Sequence, residues 1–66
     1  MPHVQITMLE GRTLEQKRRA VKRLTEVLQQ ELQMNPEALT IALVEVPLEN
    51  FARNGTLIAD RDATSK

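Results

Sequence analysis

The 66-residue sequence contains no cysteine, tryptophan or tyrosine, and only one phenylalanine and one histidine. Without cysteine no disulfide can staple the chain, and His3 with carboxylates as the only other ligands makes a poor zinc cage. Phe51 is the sole aromatic, so the 41% hydrophobic fraction has to build an aliphatic core. A chain of this length buries only about 60% of its unfolded surface, and domains this small usually rely on disulfides, metals or oligomerisation. Self-association is the staple that remains.

An excess of charge of either sign is also missing: nine Lys and Arg balance nine Asp and Glu. That balance argues against a protein that grips a polyanion through bulk charge. No apolar run approaches the roughly 20 residues of a membrane span. The opening Met1-Pro2-His3-Val4-Gln5 has no basic region followed by an apolar stretch, as a secretory signal requires. The expectation is a cytoplasmic protein with no membrane or nucleic-acid partner.

What is present reads as alternating elements. Val4, Ile6 and Met8 alternate with His3, Gln5, Thr7 and Leu9, predicting a strand over about residues 3–9. Thr13-Leu14-Glu15-Gln16 has the form of a capping box and starts a helix. Ala20, Val21, Leu24, Val27, Leu28 and Leu32 keep to one stripe of that helix, which ends near Gln33. Asn35-Pro36 supplies the stop, with Asn35 suited to the left-handed conformation of a helix end.

The run Leu39 to Val46 then suits a strand buried on both faces, ended by Pro47. Strand, helix, strand makes a βαβ unit with parallel strands and a right-handed crossover. Two strands and one helix cannot close a core alone. Asn54-Gly55 signals a turn, Thr56-Leu57-Ile58-Ala59 a short strand after it, and the polar stretch from about residue 60 to 66 a frayed tail. The chain reads as one domain over residues 1–66, of α/β class.

A few residues carry chemistry. If Met1 is removed, Pro2 becomes a secondary amine at the chain start; α-amino groups have reference pKa values of about 7.7–8.0, suiting a general base near neutral pH. With Met1 attached, the Pro2 nitrogen is a tertiary amide without usable basicity. Arg12, next to Gly11 in the turn between strand and helix, can hold a carboxylate through two parallel hydrogen bonds or pair with Glu10 or Glu15 on the surface. Phe51 reads as core or as a pocket wall, and His3 as a solvated strand residue. Lys17, Arg18, Arg19, Lys22 and Arg23 crowd the helix, with Glu15 and Glu26 spaced to pair with Arg19 and Lys22. No aromatic stacking platform accompanies them, so they read as a solvated face.

Pro2, the block Met8-Leu9-Glu10-Gly11-Arg12-Thr13 and the run Glu15-Gln16-Lys17 resemble the 4-oxalocrotonate tautomerase family. The resemblance extends through Val44-Glu45 to Asn50-Phe51 and covers nearly the whole chain. It implies a βαβ unit with a short C-terminal hairpin, duplicated by dimerisation, assembled into larger sheets and commonly into hexamers. It also implies keto–enol tautomerisation of a conjugated 2-oxo acid, 2-hydroxymuconate-like or an arylpyruvate enol, with no cofactor and no metal.

In that resemblance Pro2 is the general base, Arg12 binds a substrate carboxylate, and Phe51 and Leu9 line the pocket. The family's second arginine aligns with Thr40, which removes one anchor for a dicarboxylate. Arg53, two residues past Phe51, is the candidate replacement cation. The competing readings are a non-catalytic oligomeric module that binds a small carboxylate, and a hydratase- or dehalogenase-type relative.

Overall fold

The computed structural model describes residues 2–64, with side chains described through residue 61. Strand β1 covers His3–Leu9, helix α1 Leu14–Leu32 and strand β2 Thr40–Val46. A hairpin of β3, Ala52–Arg53, and β4, Thr56–Leu57, follows, and helix α2, Ile58–Thr64, closes the described chain. Short 3₁₀ turns at Pro36–Ala38 and Leu48–Asn50 flank β2.

β1 and β2 pair in parallel from His3↔Thr40 to Leu9↔Val46, the βαβ unit that the alternation predicts. Val4, Ile6 and Met8 share one face with Ile41, Leu43 and Glu45, and α1 lies on that side. A hollow of about 280 Å³ lies there, lined by Ile6, Met8, Arg12, Gln16, Lys17, Ala20 and Leu43. Lys17 ties α1 to β2 through a 2.6 Å ion pair with Glu45. On the opposite face His3, Gln5, Thr7, Thr40 and Val44 are exposed.

The helix ends have defined chemistry. The Thr13 hydroxyl accepts from the Gln16 amide (3.1 Å), and the Gln16 side chain accepts from the Thr13 amide (2.9 Å), completing the capping box. At the other end the left-handed residue is Gln33 (φ 49°), and the Met34 amide closes the motif on the Gln29 carbonyl. Asn35 does not take the left-handed role assigned to it. It adopts φ −71° and accepts from the Glu37 amide (2.9 Å), because the next element is a 3₁₀ turn that its short side chain can cap.

Two other expectations are corrected. β4 stops at Leu57, and Ile58–Thr64 forms α2, where the sequence reading has a strand to Ala59 and a frayed tail from about residue 60. The Ile58 amide donates to the Phe51 carbonyl (2.8 Å) and closes the hairpin; the backbone then turns helical to pack α2 on the Leu48–Asn50 turn. Residues 65–66 of that tail lie outside the described residues, as does Met1. β2, expected to be buried on both faces, leaves Val44 40% exposed within a single chain.

No described hydrophobic side chain is fully buried, and Leu14, Val27 and Leu32 of α1 are all more than half exposed. The radius of gyration is 15.5 Å, where a compact chain of this length has about 11 Å. The accessible area is 5426 Å² against roughly 4,200 Å² for a folded monomer of this size. The single chain therefore presents a core face without the second layer that would cover it. Among the described residues no helix is long and apolar enough to cross a membrane.

Candidate active site

The parallel register sorts the sequence-predicted residues into two groups. At the start of both strands, half-buried Pro2 meets Thr40: the Thr40 amide donates to the Pro2 carbonyl at 3.3 Å. His3 and Thr40, paired across the ladder, share a hydrogen bond of 2.7 Å between Nδ1 and Oγ1. His3 is solvent-exposed as expected, and in addition is tied to a residue 37 positions away. Only the strand register reveals that link.

The second group gathers at the strand ends. The Glu10 amide extends the ladder to the Val46 carbonyl (3.0 Å), and Gly11 at φ +126° then turns the chain toward α1. Arg12 follows, immediately before the capping residue Thr13, so the capping box fixes its backbone. Its guanidinium has no ion-pair partner among the described residues. Glu15, one of the acids spaced to meet it, pairs with Arg18 at 3.5 Å, and that pairing also replaces the expected contact with Arg19.

Arg12 and Leu9 border a hollow of about 410 Å³ with Met8, Glu10, Gly11 and Leu48. Phe51 follows the Leu48–Asn50 turn and stays 40% exposed. Arg53 pairs across the hairpin with Thr56 and lines a shallow hollow with Asn54, Thr56 and Arg61.

One chain thus brings Pro2 to Thr40, and Leu9 to Arg12, but does not join the two groups. Six residue steps along β1 separate them, about 20 Å at the rise of a strand. Nor does it bring Arg53 to Thr40. The Lys17–Glu45 pair was not legible in the sequence, because it joins α1 to β2 across 28 residues. Among the described residues no three His, Cys, Asp or Glu side chains group as metal ligands do.

Comparison with known proteins places this geometry. The family model described as tautomerase enzyme matches residues 2–61. A probable tautomerase of Halalkalibacterium halodurans is 39% identical over 61 residues, covering 92% of this chain and all of that protein. The 2-hydroxymuconate tautomerase of Bacillus subtilis is 34% identical over 62 residues, covering 94% and 100%.

Among solved structures, one from work on the 4-oxalocrotonate tautomerase isozymes of Methylibium petroleiphilum superposes with a TM-score of 0.92 at 39% identity, covering 97% of this chain and 100% of that one. A chain of the heterohexameric 4-oxalocrotonate tautomerase of Chloroflexus aurantiacus gives 0.84 at 28% identity, covering 91% and 97%. A βαβ unit with a C-terminal hairpin, matched over nearly its whole length by these proteins, makes this chain a member of the 4-oxalocrotonate tautomerase family.

Proposed function

We propose that the chain is a cofactor-independent tautomerase that interconverts the enol and keto forms of a conjugated 2-oxo acid. The observation carrying this reading is that the family match begins at Pro2 and runs to residue 61, so it takes in Pro2, Leu9, Arg12 and Phe51. The name of the Bacillus subtilis relative supports the substrate class.

With Met1 removed, the Pro2 nitrogen takes the proton of the 2-hydroxyl group as the carbonyl forms. The prolinium then delivers a proton to a carbon of the conjugated chain, so that one proton leaves oxygen and one arrives at carbon. Arg12 holds the carboxylate bidentately and stabilises the charge that builds on the enolate. Phe51 and Leu9 wall the pocket against water. The active site is a composite of copies: the length of β1, about 20 Å from His3 to Leu9, lies between Pro2 and the turn that carries Arg12, and supports a site in which Pro2 of one subunit meets Arg12 of another. The missing core supports the same arrangement, and the heterohexameric relative supports a homohexamer as its form.

The test is ultraviolet-monitored ketonisation of phenylenolpyruvate and 2-hydroxymuconate by protein whose mass shows Met1 removed, beside Pro2→Ala. Loss of turnover in the variant supports Pro2 as the base. Equal, near-background rates in both proteins overturn the enzymatic reading in favour of a carboxylate-binding module.

A further inference from the structure

All nine basic residues lie within residues 12–23 or from residue 53 onward; residues 1–11 and 24–52 contain neither Lys nor Arg. The fold turns this into a spatial fact. β1 and β2 run parallel, so α1 starts beyond the Leu9 end and returns its C-terminal half to the Pro2 end. In that half, the Pro36–Ala38 turn and the starts of both strands, Glu26, Glu31 and Glu37 are the only Asp, Glu, Lys or Arg residues. Its last turn contains no basic residue, and a helix C-terminus is itself partly negative. Among the described residues the Pro2 end of the subunit therefore offers an anion no Lys or Arg, and its one cationic group is the Pro2 amine itself when Met1 is removed and the amine is protonated. What it offers is the exposed His3–Thr40 pair at 2.7 Å, one position along the chain from Pro2.

From this we infer that His3 and Thr40 form the second anchor for the substrate. They select a 2-oxo acid enol with a single carboxylate and a neutral hydrogen-bonding group at its far end, such as a phenol, over a dicarboxylate. This rests on the tautomerase reading. The chemistry is that of mutual donors and acceptors. An imidazole and a hydroxyl can each donate and accept, and once they hydrogen-bond each other the ring's other nitrogen and the hydroxyl's spare capacity are left for a ligand. A second carboxylate would meet the same pair without a Lys or Arg of this end to match it, and would lose hydration without fully recovering it.

The comparison uses three enols: 4-hydroxyphenylenolpyruvate, phenylenolpyruvate and 2-hydroxymuconate. The first two differ by one hydroxyl, and the third has a second carboxylate on a linear diene in place of the ring. In the wild type kcat/KM should be about tenfold higher for the hydroxyphenyl compound than for either of the others, the size of effect a single partly exposed hydrogen bond supports. Thr40→Val and His3→Phe should remove that preference mainly through KM, bringing kcat/KM for the hydroxyphenyl compound down to that of phenylenolpyruvate in the same variant. Thr40→Arg should raise kcat/KM for 2-hydroxymuconate by about tenfold, through a new charge-assisted contact.

His3 is the only histidine, so its ring ¹⁵N resonances report on the pair alone. They should move on adding 4-hydroxyphenylpyruvate, and less on adding phenylpyruvate. Silent resonances, or a preference unchanged in both variants, overturn the inference even where the wild type is an active tautomerase. A wild type that prefers 2-hydroxymuconate and loses that preference in Arg53→Ala also overturns it, in favour of the cation on the hairpin. If no enol is turned over but the His3 resonances still distinguish the two pyruvates, the tautomerase reading falls and the ligand class stands.

Discussion

Pro2 and Arg12 stand at opposite ends of one seven-residue strand, Pro2 beside Thr40 and Arg12 just beyond Leu9. In the proposed reaction the carboxylate and the transferable proton belong to one small substrate, which favours a site that takes Pro2 from one chain and Arg12 from another. Mixing Pro2→Ala with Arg12→Ala subunits, each inactive alone, should therefore restore activity. At equal proportions the mixed oligomers should regain on the order of a quarter of wild-type kcat, measured after denaturation and joint refolding; no recovery would refute a shared site.

The same separation links assembly to activity. Dilution should lower specific activity in step with the loss of the oligomer in a sedimentation series. A compact, folded and active monomer at low concentration would contradict both the composite site and the need for a partner to cover the core face.

As a base, Pro2 must be unprotonated to accept a proton. Below the pKa of its amine, kcat/KM should fall about tenfold for each pH unit, and it should level off above that pKa, which an Arg12 cation beside the amine would lower from the ordinary range. Protein that retains Met1 should show no such limb, since its Pro2 nitrogen is an amide that does not titrate.

Gly11 adopts φ +126°, a conformation that L side chains rarely take, although a Cβ at this position would meet no atom within 4 Å. Gly11→Ala is therefore strained through the backbone alone. It should cost about 1–3 kcal/mol and turn Arg12 away from its hollow, raising KM more than it lowers kcat. Chemical denaturation and steady-state kinetics on the same variant separate the two effects.

Lys17 and Glu45 pair at 2.6 Å with side chains 25% and 34% exposed, so solvent screens much of their attraction. A double-mutant cycle with Lys17→Met and Glu45→Gln should return a coupling of about 0.5–1 kcal/mol that shrinks in high salt. A salt-independent coupling would mean that assembly buries the pair.

Much of the local structure was legible because its causes are local. The alternation of Val4, Ile6 and Met8 places β1, and Thr13 with Gln16 starts α1 through two hydrogen bonds within four residues. Asn54 and Gly55, both at positive φ, form the hairpin turn their types favour. The misses were contextual. Gln33 rather than Asn35 became the left-handed residue, because Asn35 was needed to cap the next turn. Ile58 and Ala59 became helical because α2 packs on a 3₁₀ turn that local propensity does not foresee.

For the site, the residue types of Pro2, Arg12 and Phe51 and their resemblance to one family were readable along the chain, since each is a chemical identity at a fixed position. Their division into two groups about 20 Å apart, and the meeting of His3 with Thr40, were decided only by the tertiary structure. Parallel pairing sets which residues of distant segments stand opposite each other. A right-handed crossover through a 19-residue helix lies between those segments, and no local pattern within either one encodes that register.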